Sequence, residues 1–249
     1  MDSGFYAACT ALMARSQTLD LVANNLANVS TPGYRAQHDS FSSLLATSSG
    51  ASLSGLNQAV NDYSVLGGGQ LDLSQGNLEK TGNELDLGIE GQGFFSVQTA
   101  NGQVYTRDGN FHVSPKGQLV TSAGDPVLGT DNRPLPIVGA PVSVSPDGTI
   151  SVNGALAGQL KIVDFKDPNA LGKIGNSYFS GSPDNPPLPA TGVSVDQGRI
   201  EGSNVAPAES AVRLVGVMRQ FEMLQKAISL TTDMDKKSLD DVARVPSNA

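Results

Sequence analysis

The sequence predicts an α+β protein in which paired N- and C-terminal coiled-coil helices accompany a central antiparallel β domain. Apolar and small residues recur at steps of three and four near both ends of the chain, which is the spacing of helices that pack along one seam. In the middle, short apolar runs alternate with Asn-Gly and Asp-Gly pairs, which are typical of hairpin turns. We therefore expect terminal helices at residues 1–35 and 204–249, a connector at 36–75 and a β domain at 76–203.

Composition limits the possible partners. The 249 residues are 39% hydrophobic, which is enough to bury a core, and the net charge is −8. Lys and Arg form no basic patch, so we expect neither nucleic acid nor an acidic membrane surface as a partner. The single cysteine, Cys9, excludes an internal disulfide framework and a multi-cysteine metal site.

The N-terminal segment is amphipathic and does not resemble a secretory signal. It lacks a basic first region and carries Asp2, Arg15 and Asp20. We therefore expect a chain that stays in the cytoplasm or is exported without a cleaved signal peptide.

The first helix is predicted to carry a heptad seam and to end near Asn28 or Val29. The seam residues alternate in part between large and small side chains: Phe5, Cys9, Leu12, Ser16, Leu19, Ala23 and Leu26. The small residues allow a second helix backbone to approach closely. Three asparagines, Asn24, Asn25 and Asn28, lie near the end of this helix, although Asn side chains compete with helical backbone hydrogen bonds.

A tight turn is predicted directly after this helix. Pro32 disfavours a helical conformation for Thr31, and Thr31, Pro32, Gly33 and Tyr34 fit the four positions of a type II turn. Gly33 occupies the third position, so we expect its φ angle to be positive.

The β domain is predicted from short strands and the turns between them. The connector before it is rich in Ser, Gly, Asn and Leu, with linker-like stretches. The candidate turns are Asn101-Gly102, Asp108-Gly109, Lys116-Gly117, Asp147-Gly148 and Asn153-Gly154. Because so many short strands are separated by such close turns, we expect a compact antiparallel domain.

The C-terminal helix is predicted to begin at Pro207 and to continue to about Val242. Its seam residues again step by three and four: Leu214, Val217, Phe221, Leu224, Ile228 and Thr231. Neither terminal helix can bury its seam alone. Pairing of the two helices would cover part of each seam and neighbouring subunits the rest, and a two-helix stalk in a monomer is the alternative.

The sequence indicates neither catalysis nor a cofactor. Gly88, Gly91 and Gly93 precede a strand rather than a helix, so a turn fits them better than a phosphate loop. His38 and His112 lack a neighbouring ligand at metal spacing, and no Gly-x-Ser-x-Gly element occurs. We expect no enzyme activity, no metal and no small-molecule substrate.

Several long segments resemble the bacterial flagellar rod, hook and hook-associated axial proteins. These are "ANNLANVSTPGY", "GNLEKTGNELDLGIEGQGFFSV", "YTRDGNFHVSPKGQLVTSAGDPVLG" and "EGSNVAPAESAVRLVGVMRQFEMLQKAI", in the family's order. The resemblance covers most of the chain except roughly residues 40–75 and 183–189. Within the family, the chain length, "STPGYRAQ" and "RQFEM" are most similar to the proximal-rod type, and the distal-rod type is a close relative.

The resemblance implies a structural subunit of the flagellar basal-body rod, the helical drive shaft that transmits torque across the periplasm. It implies that the terminal helices form an inner coiled-coil core and the β domain an outer layer. The implied partners are other copies of this chain, neighbouring rod subunits and the flagellar type III export apparatus. The expected assembly interface comprises Phe5, Leu12, Leu19, Asn24, Asn25, Leu26, Asn28, Leu214, Val217, Phe221, Leu224 and Ile228.

Further expectations and alternatives accompany this interpretation. The asparagines are expected to bond neighbouring subunits and set the register of the helices. The turn at Thr31 to Tyr34 is expected to be mobile in an isolated subunit, so that Gly33→Val would disturb only the assembled rod. The alternatives are a distal-rod or hook-type axial subunit or, outside the family, a secreted β-rich binding module with a helical stalk. A periplasmic enzyme would require a site cluster that the sequence does not show.

Overall fold

The computed structural model describes residues 2–41, 66–175 and 177–243. It confirms the α+β class, with a helix near each end of the chain and antiparallel strands between them. Helix α1 spans Asp2–Ala27 and helix α2 spans Pro207–Ala243, so the predicted start at Pro207 is confirmed. Most of the predicted connector lies at residues 42–65, outside the described residues.

In the part of the chain that the structure describes, seventeen strands and one short 3-10 helix, Pro168–Ala170, lie between the two α-helices. The strands are β1 Gln37–Phe41, β2 Leu66–Leu71, β3 Leu78–Lys80, β4 Leu87–Glu90, β5 Phe94–Thr99, β6 Gly102–Thr106, β7 Phe111–Val113, β8 Leu119–Thr121, β9 Val142–Val144, β10 Thr149–Val152, β11 Ala155–Gln159, β12 Ile162–Asp164, β13 Gly172–Ile174, β14 Tyr178–Ser180, β15 Leu188–Pro189, β16 Ser194–Gln197 and β17 Arg199–Glu201.

The largest sheet has six strands in the order β13-β14-β6-β5-β12-β15. A three-stranded sheet has the order β11-β10-β9, and the remaining strands form the pairs β16-β4, β17-β3, β7-β8 and β1-β2. The strand pairs whose residue register is defined are antiparallel.

Four of the predicted hairpin turns are confirmed. Asn101-Gly102 joins β5 to β6, and Asn153-Gly154 joins β10 to β11 with φ angles of 52° and 76°. Positive φ at both positions is the geometry of a type I′ turn, whose twist matches that of the flanking strands. Lys116-Gly117 and Asp147-Gly148 lie in the connections of two further antiparallel pairs, β7-β8 and β9-β10.

The prediction of a hairpin at Asp108-Gly109 is wrong. Strand β6 pairs with β5 and β14, whereas β7 pairs with β8, so the two strands flanking Asp108-Gly109 belong to different sheets. The reason is a close backbone approach, because Leu87 N–H donates to the Gly109 carbonyl and a Cβ on Gly109 would lie 1.7 Å from the Leu87 oxygen. Glycine is needed here for lack of space rather than for a turn.

Among the described residues, the β unit has a larger and a smaller apolar cluster and a third, minor one of Tyr34, Ala36 and Val205. The larger cluster contains 14 buried residues and includes an edge-to-face contact between Phe95 and Phe111 at 5.1 Å. In the smaller cluster Phe94 packs on the edges of Phe165 and Phe179 at 6.0 and 5.4 Å. Such aromatic pairs stabilise the fold beyond the area they bury, by roughly 0.5–1.5 kcal/mol each.

The chain divides into two compact units. The helical unit comprises Met1–Leu26, Gln37–Gln70 and Pro207–Ala249, and the β unit comprises Ala27–Ala36 and Leu71–Ala206. The sequence-based boundary at residue 35 differs from this division, because Tyr34, Arg35 and Ala36 are buried within the β unit.

Candidate assembly site

The turn that follows α1 has the predicted geometry. Tyr34 N–H donates to the Thr31 carbonyl at 3.3 Å, and Gly33 has a φ of 65°. The predicted positive φ at Gly33 is confirmed. Asn28 supports the turn from the helix side, since its carbonyl accepts from Thr31 N–H and its side-chain oxygen accepts from the Thr31 hydroxyl at 3.0 Å.

The turn is integrated into the β unit through Gly33. Gly33 N–H donates to the Glu201 carbonyl at 2.8 Å. A Cβ at position 33 would lie 2.2 Å from Asp108 N and 2.4 Å from the Arg107 carbonyl carbon, which are backbone atoms that cannot rotate away. The expectation that Gly33→Val would be silent in an isolated subunit is therefore wrong, because the substitution collides with the β unit itself.

A buried cluster of three charged side chains lies beside this turn. Glu201 Oε1 is 2.7 Å from Arg35 Nη2, and Glu201 Oε2 is 3.1 Å from Arg107 Nη1. The side chains of Glu201, Arg35 and Arg107 are only 0%, 1% and 4% exposed. Gly76 N–H also donates to Glu201 Oε1, so this carboxylate serves two guanidinium groups and one backbone amide.

The electrostatics of the cluster follow from its burial. The pKa of Arg107 is lowered to about 10, chiefly by desolvation; the Glu201 carboxylate opposes this shift and the nearby Arg35 charge adds to it. Two backbone carbonyls, those of Ile89 and Gly91, accept from the Arg107 guanidinium and stabilise its charged form. The shared carboxylate is the group that makes burial of both arginines tolerable.

Asn204 connects the segment after α1 to the segment before α2. Its Oδ1 accepts from Ala36 N–H at 2.7 Å, and its own N–H donates to the Tyr34 carbonyl at 3.4 Å. Its Nδ2 donates to the carbonyls of Asp72 and Ser74. We call Gly33–Ala36 together with Glu201–Asn204 the clamp. It holds together the two chain segments through which the β unit is joined to the terminal helices.

Lys173 covers the clamp from strand β13. Its Nζ lies 3.6 Å from the centroid of the Tyr34 ring and donates to the Arg35 carbonyl at 3.2 Å. Burial lowers the pKa of Lys173 to about 8 and raises the pKa of Tyr34 to about 12. A cation over an aromatic face is attractive, so Lys173 fastens β13 to the clamp.

Helix α1 presents its asparagines in different environments. Asn25 is buried, and its Nδ2 donates to the Gln37 carbonyl at 2.7 Å while its Oδ1 accepts from Gln37 N–H at 3.0 Å. Asn25 therefore uses both polar side-chain atoms within its own chain. Asn24 is exposed and Asn28 is buried, and contacts of these two residues with neighbouring subunits stay a prediction.

The predicted seam of α1 is only partly covered. Leu12, Leu19 and Leu26 are half-buried, and the side chain of Phe5 lies outside the described residues. Among the α1 side chains that the structure describes, the most buried are instead Thr18 and Val22, which precede Asn25 at helical spacing.

Helix α2 leaves most of its apolar surface uncovered. In the predicted seam Val217 is buried and Thr231 is exposed. The remaining members are half-buried: Leu214, Phe221, Leu224 and Ile228. A second apolar row is 57–75% exposed and was not singled out from the sequence: Val212, Met223, Leu230 and Met234. The members of this row are 11, 7 and 4 residues apart, which also follows the helical period, so the row can be recognised in the sequence.

Sequence reasoning also missed Arg35, Arg107, Glu201, Asn204 and Lys173. The first four lie inside segments that carry the family resemblance, namely "STPGYRAQ", "YTRDGN" and "EGSNV". The charges of these residues gave no reason to pair them, because the partners are far apart in the chain.

Within the described ranges, His, Cys, Asp and Glu form no group of three or more that could hold a metal ion. None of the helices there has both the length and the apolar character needed to span a bilayer.

Known flagellar families match this chain in three places. Residues 5–35 match the family described as flagella basal body rod protein. Residues 88–152 match the flagellar hook protein FlgE/F/G D1 domain, and residues 196–241 match the C-terminal region of flagellar basal body rod FlgEFG proteins. The first and third matches include residues of both the clamp and the terminal helices.

Individual relatives match over nearly the whole chain. Flagellar basal-body rod protein FlgF of Caulobacter vibrioides is 31% identical over 249 residues, which cover 98% of this chain and 100% of the relative. FlgG of Buchnera aphidicola subsp. Acyrthosiphon pisum is 35% identical over 92% of this chain and 95% of the relative. FlgF of Salmonella typhimurium is 32% identical over 92% and 94%. The chain therefore belongs to the flagellar basal-body rod protein family and is FlgF-like.

Proposed function

We propose that this chain, as a structural subunit of the flagellar rod, occupies the proximal rod. FlgF relatives from three further bacteria besides Caulobacter, at 31–33% identity, support this place. Pro32 also supports a place in the proximal rod, because the distal-rod proteins that this chain resembles usually have Asn at the position before the signature glycine. FlgG relatives at 31–35% identity support the alternative of a distal-rod subunit.

Assembly proceeds through the terminal helices, which pair as a coiled coil and contact neighbouring copies. The observation that carries this proposal is the incomplete burial of the α2 seam, in which Phe221, Leu224 and Ile228 are half-buried. A helix of 37 residues with so little apolar burial is poorly stabilised by its own chain and gains stability when neighbours cover the seam. In this arrangement the two terminal helices build the inner core and the β unit builds the outer layer.

The clamp gives the subunit a mechanical role. It joins the segment after α1 to the segment before α2 through Glu201, Arg35 and Asn204. Within the β unit, one buried cluster therefore holds together the segments that precede and follow the terminal helices. A subunit whose connecting segments are held in this way suits a shaft that transmits torque.

Location and partners follow from membership of the family. The subunit resides in the basal body where the rod crosses the periplasm, and it contacts other copies and neighbouring rod subunits. It is exported by the flagellar type III apparatus without a cleaved signal peptide. The proposal assigns the chain no catalytic step.

The decisive experiment separates assembly from folding. Leu224→Asp places a charge in the α2 seam, whereas Gln225→Asp places the same charge on the adjacent exposed position. In a strain that lacks its own copy of the gene, we expect Leu224→Asp to abolish incorporation into basal bodies and motility, because burial of an unpaired charge costs several kcal/mol. Gln225→Asp should assemble. Both purified variants should keep the calorimetric unfolding midpoint of the β unit.

Two results would contradict the proposal. A loss of β-unit stability in Leu224→Asp would mean that the seam packs on the β unit. Normal motility of this variant would mean that the seam is not an assembly surface. Electron microscopy of basal bodies that contain a tagged copy distinguishes the proximal rod from the distal rod.

A further inference from the structure

We propose that helix α1 of a second copy of this chain packs antiparallel on the outer row of α2, which consists of Val212, Gly216, Met223, Leu230 and Met234. The inference rests on the proposed assembly through the terminal helices and adds a second contact surface to it. At about 3.6 residues per turn, the outer row lies on the side of α2 opposite to the predicted seam. Helix α2 can therefore make this contact while its seam is occupied.

The first argument is exposure. The four large side chains of the outer row are 57–75% exposed, although they follow one another along the same side of the helix. An exposed apolar surface that continues along an element in this way marks a contact with another protein. The seam cannot cover this row, because the two face in opposite directions.

The second argument is Gly216. It lies in the interior of α2, where glycine is less favourable than alanine. Outside the helix's own backbone, a Cβ at this position would meet no described atom within 4 Å. The subunit itself therefore gives no steric reason for a glycine here, whereas the close approach of a second helix backbone gives one.

The third argument is spacing, which identifies the partner surface. An exposed row of α1 repeats every seven residues: Met13, Asp20 and Ala27. The outer row of α2 contains the same repeat: Gly216, Met223 and Leu230. Two helices with a common seven-residue repeat stay in contact along their length. An antiparallel arrangement places large beside large and small beside small, in the pairs Met13 with Leu230, Asp20 with Met223, and Ala27 with Gly216.

The fourth argument is charge. Arg219 and Lys226 are exposed and lie one helical turn to either side of Met223. In the antiparallel register Asp20 of the second copy comes to lie between these two cations, and opposite charges beside an apolar row select the partner and its orientation. Within the described parts of one chain, Asp20, Arg219 and Lys226 take part in no ion pair.

The first test is disulfide cross-linking between copies in isolated basal bodies. All copies carry Cys9→Ala, which removes the only cysteine of the chain. One tagged copy carries Met13→Cys and a differently tagged copy carries Leu230→Cys. We expect mild oxidation to give a cross-linked dimer that contains both tags. In the matched control, Ser229→Cys replaces Leu230→Cys.

Ser229 is the neighbouring exposed position, and it faces neither the outer row nor the seam. The yield of the doubly tagged dimer should fall at least about tenfold in this control, because a disulfide does not form between Cα atoms that are more than about 7 Å apart.

The second test reverses the charges. Asp20→Lys and Arg219→Glu each bring like charges together, so each should reduce incorporation into basal bodies at least about fivefold. A chain with both substitutions should recover at least about threefold over either single variant, because opposite charges face each other again. Lys236→Glu, at an exposed position outside the outer row and the seam, should assemble normally.

The inference is overturned if Leu230→Cys and Ser229→Cys cross-link equally, or if the double charge reversal assembles no better than the single ones. These results are distinguishable from a failure of the proposed function, which Leu224→Asp tests on the opposite side of α2. Loss of incorporation in Leu224→Asp without the specific cross-link would leave the seam as an assembly surface and remove the outer row.

Discussion

Glu201 and Arg35 form a buried ion pair in which Oε1 and Nη2 are 2.7 Å apart. Arg35 lies in the segment that follows α1, and Glu201 ends β17, shortly before α2 begins. The second oxygen of Glu201 also pairs with Arg107, which directly follows strand β6, so one carboxylate joins the two connecting segments to the end of that strand. The clamp is consequently part of the folded β unit.

Glu201→Gln should strongly destabilise the β unit. The substitution keeps the shape of the side chain but leaves two buried guanidinium charges without their counter-charge, and removal of one partner of a buried ion pair typically costs about 3–5 kcal/mol. Asp196→Asn is the matched control, since it breaks an ion pair with Arg199 in which the two side chains are 27% and 48% exposed. We expect the control to cost less than about 1 kcal/mol in chemical denaturation. Equal effects of the two substitutions would contradict the importance of the clamp.

Gly33→Ala should destabilise the β unit more than Gly82→Ala does. Both glycines have positive φ angles, 65° and 76°, so both substitutions impose a similar backbone strain. A Cβ at Gly82 meets nothing within 4 Å, whereas at Gly33 it meets the backbone of Asp108 at 2.2 Å. We expect strain alone, of about 1 kcal/mol, at Gly82 and a substantially larger loss at Gly33. Gly33→Asn should not rescue stability, because the collision involves Cβ and not the φ preference.

Asn25→Ala should accelerate amide exchange at Gln37. The Gln37 N–H donates to Asn25 Oδ1 at 3.0 Å, and loss of this acceptor should raise the exchange rate by roughly fivefold, equivalent to about 1 kcal/mol. Alanine is the better helix former, so a weaker helix cannot explain faster exchange. Gln17→Ala, at an exposed position of the same helix, should leave the Gln37 amide unchanged. Unchanged exchange in Asn25→Ala would mean that the contact is not formed in solution.

Alkaline titration should show tyrosines that ionise at unusually high pH, because burial raises the pKa of Tyr34, Tyr105 and Tyr178. Burial raises the pKa of both Tyr34 and Tyr178 to about 12, and Tyr178 also donates to Asp125 Oδ2 at 3.0 Å. For Tyr34 and Tyr178 the pKa in the folded protein exceeds the unfolded value of about 10. The contribution of these two protonated tyrosines to the stability of the β unit is therefore complete below pH 10 and is lost as the pH rises to about 12. With five tyrosines and no tryptophan, absorbance near 295 nm resolves these steps.

Tyr34→Phe and Tyr178→Phe should each remove one late component from that titration. They should also reduce the loss of β-unit stability between pH 10 and 12. A single transition near pH 10 for all five tyrosines of the folded chain would refute the assignment.

The sequence by itself determined the local structure and the family. The two terminal helices, the start at Pro207, the hairpins at Asn101-Gly102 and Asn153-Gly154 and the positive φ of Gly33 all follow from periodicity or turn chemistry. These signals lie within a few neighbouring residues, so no knowledge of distant contacts is required.

The tertiary structure alone decided what Gly33, Gly109, Arg35 and Glu201 do. Asp108-Gly109 has the composition of a hairpin turn, yet Gly109 serves the approach of the Leu87 backbone. Arg35 is an ordinary cation after a turn until the fold places Glu201 beside it and removes both from water. Which backbones approach and which charges meet depends on chain segments that are distant in sequence, and local propensity carries no information about them.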